Sequence, residues 1–146
     1  MADRIEFNWR QVKRNGREFS VCRSVAFFAA LALGHYGLAV AAPTGGKITG
    51  GSGVISQQGA RTDIRQDSQR LDIDWNTFST TRDESVNFRQ PDQLSVAINR
   101  VIGGVPSHLQ GALNANGRVF ILNSSGIVFH RSATVNVGAL LATTAR

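Results

Sequence analysis

An all-β fold is what this sequence predicts, on three observations. Short stretches alternate apolar and polar residues with period two. Turn-forming residues punctuate them about every eight to twelve positions, the spacing of short strands. From Pro43 onward no window of a dozen residues carries a helical period. Composition agrees, because lysine occurs only twice while Gly, Ser, Thr, Asn and Gln abound, which suits short strands and tight turns.

The first element is a leader. A charged stretch ending at Arg23 runs into Val25-Ala-Phe-Phe-Ala-Ala-Leu-Ala-Leu33 and then into Ala39-Val40-Ala41. Basic region, short apolar run and small-x-small are the ordered parts of a secretory signal peptide. The expected signal spans residues 1–41, with Ala39 and Ala41 as the small residues and cleavage after Ala41. The apolar run is about half of the roughly 20 residues that cross a bilayer as a helix. His35 and Tyr36 interrupt it, so no permanent membrane span is expected. The competing reading is an amphipathic N-terminal helix of a cytosolic protein.

The mature chain, residues 42–146, opens on Gly45-Gly46 and Gly50-Gly51-Ser52-Gly53. A phosphate loop would need a following Lys-Ser/Thr and a helix N-terminus, both missing, so this reads as a flexible start to the first strand. Leu71-Asp-Ile-Asp-Trp75 puts Leu71, Ile73 and Trp75 on one face and both aspartates on the other. Val86-Asn-Phe88, Val96-Ala-Ile98 and Val135-Asn-Val137 repeat the alternation more briefly. Between Asn114 and His130 the chain says nearly the same thing twice, since a slide of nine residues lays Gly117 on Gly126, Val119 on Val128 and Phe120 on Phe129. Short-period repetition is what a β-helix leaves in sequence. A hairpin around Asn116-Gly117 would look similar, so the residues alone leave β-helix and sandwich equally open.

Charge and chemistry exclude several function classes. The net charge is +6, but half of it lies in the first 42 residues and the basic side chains downstream are single. No aromatic interleaves with a basic cluster, so no nucleic-acid partner is expected. Cys22 is the only cysteine, which rules out a disulfide framework and a cysteine zinc site. His35, His108 and His130 show no metal-ligand spacing on one element and no G-x-S-x-G motif is present, so no metal, cofactor or nucleophilic triad is expected. Asp72 and Asp74 stand about 7 Å apart along one strand face. They are either the solvated side of that strand or the acid pair of a polysaccharide lyase or hydrolase.

From about Gly53 to Ala145 the chain resembles the secretion domain at the N-terminus of filamentous haemagglutinin-like exoproteins, the haemagglutination activity domain of two-partner secretion. The carrying residues are Leu71-Asp-Ile-Asp-Trp75 with Phe78, Val86-Asn-Phe88 with Gln90-Pro91, and Ala97-Ile98-Asn99-Arg100-Val101. Pro106-Ser107, Gly111-Ala-Leu113, Ala115 to Asn123, Gly126 to Phe129 and Val135-Asn-Val-Gly138 with Leu141-Ala142-Thr143 complete the series. The resemblance implies a right-handed parallel β-helix exported through the periplasm to the cell surface or medium. It implies a non-enzymatic targeting role, read by a dedicated outer-membrane transporter whose periplasmic domains pair with it edge to edge. A part in adhesion to a host-cell surface goes with it. The rival functions are the secreted β-helix lyase or hydrolase and a small free-standing surface adhesin.

Two departures from the family shape the expectations. Members usually carry Asn-Pro-Asn-Gly where this chain has Asn123-Ser124-Ser125-Gly126. Serine presets a turn less firmly than proline, yet the turn should form. Secretion domains also run beyond these motifs, and Thr143-Thr144-Ala145-Arg146 does not read as a cap. The chain is therefore expected to be a fragment, a truncated gene product or an assembly error. The site residues expected to matter are Asn123, Gly126 and Ile127, the earlier turn at Asn116 and Gly117, and Asn99-Arg100.

Overall fold

The computed structural model describes residues 41–145. The signal peptide expected over residues 1–41 therefore lies outside the described residues except for Ala41. Every regular element described is a strand, and the strands wind into a parallel β-solenoid of about four turns. The first turn holds β3 (Arg61–Gln66) and β4 (Arg70–Trp75), and the second holds β5 (Ser85–Arg89), β6 (Val96–Val101) and β7 (Ser107–Leu109). The third holds β8 (Ala112–Ala115), β9 (Arg118–Leu122) and β10 (Ile127–Phe129), and the fourth β11 (Thr134–Asn136) and β12 (Ala139–Thr143). One wall stacks β3, β5, β8 and β11, the next β4, β6, β9 and β12, and a narrow third wall pairs β7 with β10, all in parallel. This decides between β-helix and sandwich.

At the start of the solenoid, β1 (Lys47–Gly50) lies antiparallel on β4 and β2 (Gly53–Gln58) antiparallel on β3. The glycine-rich segment read as a flexible strand start is instead the turn of this cap. Gly51 sits at φ +79°, and a Cβ there would lie 2.1 Å from the Arg70 carbonyl oxygen. Only glycine enters that backbone region without strain.

Inward side chains form columns that climb from turn to turn. Leu71, Ala97 and Val119 stack on one wall, Ile73, Asn99 and Ile121 beside them, and Val86 on Leu113 across the core. Trp75 and Phe78 meet edge to face with centroids 5.5 Å apart, both buried in the core. The period-two reading of Leu71, Ile73 and Trp75 and of Val86 and Phe88 has the phase observed. In β6 the phase is opposite to the apolar pattern: Ala97, Asn99 and Val101 point inward, while Val96 and Ile98 are half-exposed. The reason is lateral, since the column is fixed by Leu71 below and Val119 above, and a small residue fits between two large ones.

The nine-residue repeat is not the turn of the helix. Val119 stacks on Ala97 and Leu140, whereas Val128 pairs with His108 in another wall. The matched stretches are successive strands of one turn, related by a corner rather than by stacking, and Asn116-Gly117 closes no hairpin.

Candidate functional site: a corner turn beside an open edge

Strand β9 delivers Asn123 to the corner that leads into β10. Its side chain is buried, 1 % exposed, and fully engaged. Asn123 Oδ1 accepts from the Ser125 N–H (2.9 Å), while Nδ2 donates to the Val105 carbonyl and the Ser107 hydroxyl, both at 2.9 Å. The Gly126 N–H closes the turn on the Asn123 carbonyl at 3.1 Å. Gly126 has φ +117°, a region closed to L side chains without strain. The turn therefore forms with Ser124 and Ser125 in place, because its defining bonds come from Asn123 and the backbone. Ile127 follows half-buried against the core.

The other expected residues divide between core, corner and surface. Asn99 is fully buried: its Oδ1 accepts the Trp75 indole N–H at 3.0 Å and its Nδ2 donates to the Phe120 carbonyl at 3.2 Å. A buried amide must find partners, and here it threads the apolar column. Arg100, next in sequence, points out and pairs with Asp74 at 3.0 Å. Asn116 sits at a different corner, where its amide brackets the Gln90 backbone, accepting from N–H (2.7 Å) and donating to the carbonyl (2.8 Å). The Gly117 N–H donates to Gln90 Oε1 at 2.9 Å. Arg100 and Ser124 come together, lining a groove of about 320 Å³ with Val101, Ile102 and Leu122. The Asn116-Gly117 corner and the buried Asn99 are not part of it.

Asp72 and Asp74 are each held by an arginine, Arg70 at 2.9 Å and Arg100 at 3.0 Å. The hydrogen bond and charge of Asp72 push the Arg70 guanidinium above its ordinary value. Near the second corner, a hydrogen bond from Gln69 holds the Asp92 carboxyl below its usual value, helped by the Leu94 and Ser95 N–H groups and the Ser95 hydroxyl. Among the described residues no three His, Cys, Asp or Glu side chains converge as a metal site. No described helix is long and apolar enough to cross a membrane.

Sequence reasoning missed two polar columns. Gln66, Gln90 and Asn116 climb one corner, with the Gln90 amide donating to Gln66 Oε1 at 3.1 Å. On an outer face Asn114 donates to Asn87 at 2.9 Å and Asn87 to Asp63 at 3.1 Å, with Asn136 next in register. Their signal is a polar residue recurring at the unequal spacing of the turns.

The last strands form an edge. Val128, Phe129, Val135, Leu140 and Leu141 are between 37 and 47 % exposed. Among the described residues β10, β11 and β12 each have a neighbour on one side only.

The TPS secretion domain family matches residues 39–146. Over 102 residues the chain is 40 % identical to a heme/hemopexin-binding protein of Haemophilus influenzae, covering 70 % of this chain and 11 % of that protein. A second heme/hemopexin-binding protein of Haemophilus influenzae is 46 % identical over 81 residues, 56 % of this chain and 9 % of its own length. The chain thus spans about a tenth of these relatives. The solved HMW1 secretion domain from Haemophilus influenzae superposes with a TM-score of 0.68 at 31 % identity, over 71 % of this chain and 28 % of that one. A parallel solenoid with these motifs in this order is a secretion-targeting domain, and the chain belongs to the TPS secretion domain family.

Proposed function

We propose that an outer-membrane partner transporter captures this chain in the periplasm, its periplasmic domains pairing edge to edge with the solenoid beside the Asn123–Gly126 corner. The observation that carries the reading is the formed corner at Asn123–Gly126, closed by the Gly126 N–H on the Asn123 carbonyl with Ser124 and Ser125 in place. Strand edges bind another strand through main-chain hydrogen bonds. The turn at Asn123 and Gly126 sets where β10 starts, and Arg100 and Ser124 flank it. The signal peptide, cleaved after Ala41, brings the chain to the periplasm. Catalysis has no part in this role, and the arginine-held aspartates suit a folded wall better than an acid-base pair. Adhesion to host cells is a property we assign to whatever larger exoprotein carries the domain.

Replacement of Gly126 by valine tests the turn in cells that carry the transporter. The variant should be cleaved after Ala41 and accumulate in the periplasm, because a β-branched residue at φ +117° distorts the corner. Release of Gly126→Val at the wild-type level would refute the proposal.

A further inference from the structure

Two histidines that the sequence separates by 22 residues are brought together by one turn of the solenoid. His108 Nδ1 lies 3.2 Å from His130 Nε2, on the outer side of the narrow wall formed by β7 and β10. Both side chains are exposed, and the rings are tilted by 41° with centroids 5.5 Å apart. Neutral imidazoles at this separation share one proton, one nitrogen donating and the other accepting.

A zinc-class cation could replace that proton at the same nitrogen separation, with the rings turning so that both lone pairs converge on the metal beside the N···N line. Zinc–imidazole bonds of about 2.0–2.1 Å place two nitrogens 3.2 Å apart when the angle at the metal is roughly 100–106°, close to tetrahedral. Imidazole is also the ligand that zinc, copper and nickel favour. His108 is held in place from both sides: its backbone N–H donates to the Ser79 hydroxyl at 3.0 Å, and the strand pairs with β10. His130 is anchored by its own N–H to the Leu109 carbonyl at 2.9 Å. The nitrogens are therefore positioned by the backbone of two successive turns.

We infer that His108 and His130 form a two-histidine site for a divalent zinc-class cation, clamping the second turn to the third across the two-stranded wall. The described protein supplies two ligands, and water completes the coordination on the exposed side.

The test is a titration of the full chain with Zn²⁺ alone, followed by the histidine imidazole NMR signals and by the thermal midpoint. A 1:1 site is expected, shifting the signals of His108 and His130 together and raising the midpoint. Even a residue that only orients a metal ligand contributes about 10- to 100-fold to affinity. His108→Gln and His130→Gln should each weaken Zn²⁺ binding at least that much, with circular dichroism unchanged because both side chains are outside the core. His35→Gln, the remaining histidine, should bind as the wild type does. Wild-type affinity in both solenoid variants, loss only with His35→Gln, or no saturable 1:1 binding would overturn the site.

Discussion

The first and last described turns of the solenoid carry the same columns of side chains and differ in what covers them. At the start, antiparallel β1 and β2 lie over the first turn, with Ile48 and Ile55 packed against the core, and Leu71 and Thr62 are buried to 0 and 2 %. Three turns later the same columns end in Leu140 and Val135, 37 and 41 % exposed. The cap edge is blunted by Lys47, a register break between Ile48 and Gly50, and the polar Ser56-Gln57-Gln58. The uppermost described strands of two walls, β10 and β12, read Ile127-Val-Phe129 and Ala139-Leu-Leu-Ala-Thr143. The last columns are exposed because no described strand lies over them. Burial in this fold is set by the row above, not by the residue.

Matched truncations should break the symmetry most visibly. Trp75→Ala, beneath the cap, is expected to lose about 3–5 kcal/mol in a urea unfolding series, since it empties a large buried volume and strands the Asn99 amide. Leu141→Ala on the open edge should stay within about 0.5 kcal/mol of wild type. Equal losses would mean that the last turn is as well packed as the first.

The corner beside the open edge comes next. Asn123→Ala leaves the Ser107 hydroxyl and the Val105 carbonyl short of a partner, at about 1–3 kcal/mol for buried groups left unsatisfied. Asn123→Asp keeps the acceptor for the Ser125 N–H but sets a buried carboxylate oxygen against the Val105 carbonyl, so it should recover none of that loss in the same unfolding series. At the capped end Gly51→Ala combines a positive φ with a close approach to the Arg70 carbonyl. Backbone strain of that kind is worth about 1–3 kcal/mol. Hydrogen exchange should show faster opening of β1 and β2 in that variant while β11 and β12 are unchanged.

The smallest effect concerns Asp92, whose folded-state value lies below 3.8 because Gln69 and neighbouring donors favour the carboxylate. A depressed carboxyl contributes stability that is present above its unfolded-state value and is lost as pH falls through the folded one. Asp92→Asn should therefore flatten the acid limb of the urea midpoint below the ordinary carboxylate range and leave the shape at neutral pH alone.

The sequence shows strands more readily than it shows stacking. Leu71, Ile73 and Trp75 declare their inward face because alternation is local. Ala97 and Asn99 do not, since their burial depends on Leu71, Ile73, Val119 and Ile121 in other turns. The turns also differ in length: Ala97 follows its partner Leu71 by 26 positions and Val119 follows Ala97 by 22. No fixed slide of the sequence aligns them, and the nine-residue echo caught strands of one turn instead. For the same reason the glutamine column at Gln66 and Gln90 and the contact between His108 and His130 were invisible. The Asn123-Gly126 turn was legible because the bonds that close it lie within four residues, unlike those from Asn123 Nδ2 to Val105 and Ser107, and the resemblance supplied what alternation did not. Asn99 was singled out with Arg100 as one motif, yet the strand sends one inward to Trp75 and the other out to Asp74.

The transporter is expected to read the Asn123–Gly126 corner and the strands that follow it. Amide hydrogen exchange of the full chain, alone and with the soluble periplasmic domains of its transporter, tests it directly. Protection should appear over residues 127–143, with residues 47–58 unchanged. Protection confined to the β1–β2 cap, or none over residues 127–143, would contradict it.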